Sequence, residues 1–82
     1  ADFLMLQMEW REAIDDALQN KNISALDDLL IAIKEISQSL SQQLSQAFKQ
    51  KDYVSAAESV RKLSFIDKIT ADIHRNIETL EA

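Results

Sequence analysis

The stretch ALDDLLIAIKEISQSLSQQLSQAFK, residues 25–49, decides the fold. Leu26, Leu29, Leu30, Ile33, Ile36 (or Ser37), Leu40, Leu44, Ala47 and Phe48 recur in it at spacings of three and four, the period of one face of an α-helix. The Ser- and Gln-rich part, residues 37–46, keeps its leucines in the same phase, so it reads as an uncharged solvated helix face rather than as a low-complexity segment. A helix with a single long apolar stripe must bury that stripe against neighbours, and the flanking sequence has to supply them.

Polar breaks bound the helix on both sides. Upstream lies Lys21-Asn22-Ile23-Ser24, where Ser24 is the expected N-cap and Asp27, three residues on, completes a capping box. Downstream lies Gln50-Lys51-Asp52, with Asp52 as the expected N-cap of a further helix reaching about Leu80. That helix is assigned an apolar stripe of Tyr53, Ala57, Val60, Leu63, Ile66, Ile73, Ile77 and Leu80, which drifts around its axis. The first helix covers Phe3 to Leu18, with Phe3, Leu6, Trp10, Ala13, Ile14 and Ala17 on one side. Short connections and stripes that each need two neighbours predict an all-α, antiparallel three-helix bundle with two long helices and a shorter first one.

Composition agrees and excludes much else. The chain has 82 residues and no Gly, Pro or Cys. That length holds one domain, burying about 60–65% of the unfolded surface, too little for a deep catalytic cleft. Without cysteine there is no disulfide, thiolate metal site or thiol nucleophile. The longest apolar run, Leu29 to Ile33, falls far short of the roughly 20 residues that span a bilayer, so a soluble, cytoplasmic domain with no membrane partner is expected. His74 is the only histidine, at the edge of the third stripe, and reads as structural. Arg11, Arg61 and Arg75 show no convergence in sequence. No catalytic residue, cofactor or metal is expected.

The net charge of -5 argues against nucleic acid, which demands a concentrated basic face. Its distribution is more telling, since residues 1–20 set Asp2, Glu9, Glu12, Asp15 and Asp16 against Arg11 alone. On the side of the first helix opposite the stripe, Met5 and Met8 sit among Glu9, Glu12 and Asp16. A second apolar face ringed by acid predicts a docking surface for a basic protein partner. On the third helix Phe65 lies more than about 100° from the mean direction of Leu63, Ile66 and Ile73 at the helical turn angle, so it should be exposed as a second anchor.

Two segments, FLMLQMEWREAIDDA (residues 3–17) and VSAAESVRKLSFIDK (residues 54–68), closely resemble the C-terminal domain of the HscB family, J-type co-chaperones of bacterial iron–sulfur cluster assembly. The resemblance implies a three-helix bundle that captures the IscU-type scaffold protein and presents it to a dedicated DnaK-type chaperone, HscA. ATPase stimulation in that family belongs to a J domain with a His-Pro-Asp motif. The tripeptide is absent here and the chain starts at Ala1, so it reads as the cargo-binding half of a longer protein. Matched position by position, the resemblance assigns scaffold binding to Leu4, Met5, Met8, Glu9, Glu12, Asp16 and Phe65. Met8 stands where leucine is usual, Asp16 is one methylene shorter than the usual glutamate, and Trp10 is unusual for the family but falls on the core side. A competing expectation is a structural bundle that self-associates through the same face.

Overall fold

The computed structural model describes residues 2–82. Within them the chain forms α1 (Phe3–Gln19), α2 (Ile23–Lys49) and α3 (Tyr53–Glu81) and no strand. Helices of 17, 27 and 29 residues make a short first helix against a long hairpin, as the stripes predict.

Both connections are built alike, without glycine. At the end of α1 the Asn22 N–H reaches the Ala17 carbonyl (2.8 Å) and the Lys21 N–H the Leu18 carbonyl (3.2 Å); at the end of α2 the Asp52 and Lys51 N–H groups repeat this toward Ala47 and Phe48 (2.8 and 3.1 Å). This Schellman-type closure forces one residue into the left-handed region, taken here by Lys21 (φ 51°) and Lys51 (φ 57°) instead of the usual glycine. The next residue at once caps the following helix. Asn22 Oδ1 accepts from the Ala25 N–H at 3.0 Å, and Asp52 Oδ1 accepts from the Ser55 N–H at 3.2 Å. Ser55 also donates its hydroxyl to Asp52 Oδ2 at 2.7 Å, and these hydrogen bonds to the ionised form hold the Asp52 carboxyl below its ordinary value.

Asp52 therefore caps α3 as expected, but α2 is capped by Asn22 rather than Ser24. The Schellman closure fixes the chain reversal at Lys21, so helical geometry resumes one residue later and Ser24 already lies inside the helix. Asn22→Ala should cost about 0.5–2 kcal/mol of stability in urea unfolding, whereas Ser24→Ala should stay within about 0.5 kcal/mol. The reverse order would restore Ser24 as the cap.

The core joins Trp10, Ile14 and Ala17 of α1 to Leu26, Ile33 and Leu40 of α2 and Ile66, Ile69 and Ile73 of α3. Leu26, Ile33 and Ile73 are sealed completely. This cluster ends at Leu40 on α2, level with the start of α1, because α1 is about 26 Å long at 1.5 Å per residue in a molecule 46 Å long. Beyond that point α2 and α3 pack only on each other. There the small residues Ala47, Ala56 and Ser59 are buried, while Phe48, Tyr53, Ala57 and Val60 are exposed, contrary to the stripes assigned to them. Two helices running toward a tight turn approach closely, so small side chains take the seam and bulky ones are displaced outward. Phe48 and Tyr53 then rest against each other, ring centroids 6.3 Å apart. Ala13 is exposed as well, just past the edge of the α1 sector that faces its neighbours.

Candidate functional site

Helix α1 begins at Asp2, whose side chain accepts a hydrogen bond from the Leu4 N–H at 3.2 Å. The cap sets the phase of everything that follows. Phe3, Leu6, Trp10, Ile14 and Ala17 turn toward α2 and α3, which leaves Leu4, Met5 and Met8 facing solvent with 60%, 57% and 60% of their surface exposed. Glu9, Glu12 and Asp16 are exposed too. Met5, Met8, Glu9 and Glu12 line one shallow depression, an apolar floor with a carboxylate rim. Such a surface can bury two thioethers against a partner while its carboxylates meet basic groups.

Phe65 is not the free aromatic that the helical wheel predicts. It is half-buried, packed on the core edge-to-face with Phe3 (centroids 5.9 Å, planes at 84°) and stacked on Trp10 (6.4 Å, 13°). Phe3 in turn meets Trp10 edge-on at 5.9 Å. The three rings form one aromatic block between α1 and α3, in offset and T-shaped geometries that add about 0.5–1.5 kcal/mol per pair beyond area burial. A single mean core direction does not describe α3, because a helix in a three-helix bundle buries the whole sector between two neighbours, and α1 lies on the Phe65 side of α3.

The exposed edge of Phe65 opens into its own groove with Phe3, Gln7, Glu58, Arg61 and Lys62, separate from the methionine depression. Gln7, Arg61 and Lys62 were not singled out as site residues from the sequence, although Arg61 stands one turn before Phe65 and was thus within reach. Arg11 and Arg75 do converge, contrary to expectation, lining a groove with Asp15 and Asp72, and Arg75 pairs with Asp72. The acidic partners neutralise that cluster. Among the described residues no group of three or more His, Cys, Asp or Glu side chains is gathered as a metal site requires. No described helix is long and apolar enough to cross a membrane.

The family of HSCB C-terminal oligomerisation domains matches residues 1–74. The chain belongs to the HscB family. It is 42% identical over 79 residues to the co-chaperone protein HscB homolog of Burkholderia mallei, 40% to that of Paraburkholderia phymatum and 39% to that of Burkholderia multivorans. Each match covers 96% of this chain and 45% of the relative, so the chain spans less than half the length of these HscB proteins. No solved structure matches. In this HscB-family domain the α1 face with Leu4, Met5 and Met8 is one exposed apolar patch, and Phe48, Tyr53, Val54 and Val60 near the α2–α3 turn are the other large apolar side chains left open there.

Proposed function

We propose that this HscB-type domain binds an IscU-type iron–sulfur scaffold protein and, as part of a longer co-chaperone, presents it to a DnaK-type chaperone, HscA. The carrying observation is the outward face of α1, where Leu4, Met5 and Met8 lie exposed among Glu9, Glu12 and Asp16. Half-exposed large apolar side chains within a charged rim suit a protein partner of complementary charge, and Phe65 contributes its open edge from α3. The role is binding rather than catalysis. Contact with HscA belongs to a J domain, for which this chain has no His-Pro-Asp motif.

Calorimetric titration with an IscU-type scaffold tests the reading. Saturable one-to-one binding is expected, together with loss of scaffold-stimulated HscA ATPase activity when this domain competes with the intact co-chaperone. Joint replacement Glu9→Gln, Glu12→Gln and Asp16→Asn should slow association severalfold at low salt and flatten its salt dependence, with little change in stability. An unchanged association rate at low salt would remove the steering role of those carboxylates.

The family description as an oligomerisation domain favours a second reading, self-association through the same α1 face. Sedimentation separates the two. A monomer that shifts only when scaffold is added supports cargo binding, whereas a dimer that grows with concentration and is lost in Met8→Glu supports self-association.

A further inference from the structure

The outer side of α1 at the candidate docking surface is mainly acidic, and the Phe65 edge of α3 carries more base than acid. Glu9, Glu12 and Asp16 line the outer side of α1, while Arg61 and Lys62 of α3 flank the groove into which Phe65 opens. The Lys62 ammonium lies 5.7 Å from the Phe3 ring centroid, held over the aromatic block rather than by a carboxylate. Glu58 lines the same groove but pairs with neither base, and the only ion pair among the described residues is Arg75 with Asp72. Arg61 and Lys62, beside a half-buried aromatic and in no ion pair, leave this groove basic despite Glu58, and the groove is separate from the acidic methionine depression of α1.

We infer that the partner surface is bipolar: a basic stretch meets the α1 carboxylates, an acidic side chain meets Arg61 and Lys62, and apolar side chains between them cover Met8, Leu4 and Phe65. The inference rests on the scaffold-binding reading and adds an acidic feature that a merely basic partner would lack. Its physical consequence is orientation. Apolar contact alone tolerates a partner turned end for end, whereas two poles of opposite sign set like against like in the wrong orientation and so reject it. Arginine suits the second pole because its planar fork matches a carboxylate.

The sign of one substitution decides the matter. Against a uniformly basic partner, making α3 more acidic would accelerate binding; against a bipolar one it slows binding. Association of an IscU-type scaffold with wild type, Arg61→Glu and the double variant Arg61→Glu/Lys62→Glu should be followed by stopped flow at low and high salt, with thermal melts as the folding control. The expected result is association slowed severalfold in the single variant and about tenfold in the double at low salt, converging with wild type at high salt. Faster or unchanged association overturns the inference while scaffold binding stands. Absence of binding by the wild-type domain overturns the underlying reading itself. Arg61 is exposed and makes no cation–π contact of the kind Lys62 makes with Phe3, so the single variant carries the test even where loss of that contact unfolds the double one.

Discussion

Ile66→Ala should lower the unfolding free energy by about 2–5 kcal/mol, the range for truncating a fully buried aliphatic side chain to alanine. Ile66 is 4% exposed and belongs to the central cluster with Trp10, Ile33 and Ile73. All three helices meet there, and rigid helices close only partly over a void. For a domain of this size each kilocalorie corresponds to roughly 4–8 °C, so the melting temperature should fall by about 8–40 °C. The total stability of 82 residues, at roughly 0.05–0.15 kcal/mol each, is about 4–12 kcal/mol, which leaves the variant near the edge of folding. Urea titration followed by circular dichroism checks this. A loss below about 1 kcal/mol would mean that α2 and α3 slide together to fill the space.

The second large effect is on binding, at Phe65 and Met8. Met8→Ala should weaken scaffold binding tenfold or more, about 1.4 kcal/mol, and leave stability within about 0.5 kcal/mol, because Met8 touches solvent rather than core. Phe65→Ala should weaken binding by a similar factor and also cost about 1–3 kcal/mol of stability, since the ring contributes two aromatic contacts. Paired calorimetry and thermal melting on both variants give the comparison. If folded Phe65→Ala binds as tightly as wild type, Phe65 is a core residue alone and the docking surface ends on α1.

The three helices, their lengths and the cap at Asp52 were legible because long periodic stripes and polar breaks are local signals. So was the exposure of Met5, Met8, Glu9, Glu12 and Asp16, which follows from the phase of α1 once Trp10 and Ile14 are inside, whereas Leu4 enters only through the family resemblance. The errors cluster where burial depends on a neighbour's position. Tyr53, Ala57 and Val60 lost their place to Ala56 and Ser59 because the closeness of two helices near a turn is a property of the pair. Ser24 lost the cap to Asn22 because Lys21, not a glycine, takes the left-handed bend. Phe65 reads as exposed from its own helix because its covering element, α1, lies far away in sequence. The groove it shares with Arg61 and Lys62 depends on the same packing.

Helix α1 covers only part of the α2–α3 hairpin, and this makes the molecule mechanically uneven. Around Ile33, Ile66 and Ile73 each helix is gripped by two others, whereas around Ala47 and Ala56 each has a single neighbour. Local opening needs the least free energy where the fewest apolar contacts must break. Backbone amides of the hairpin tip should therefore take up deuterium first, and those beneath α1 last. The methionine face rides on α1, over the half of the molecule where three helices meet. A partner that docks there meets a surface already ordered, and little of its binding energy goes into stiffening the domain.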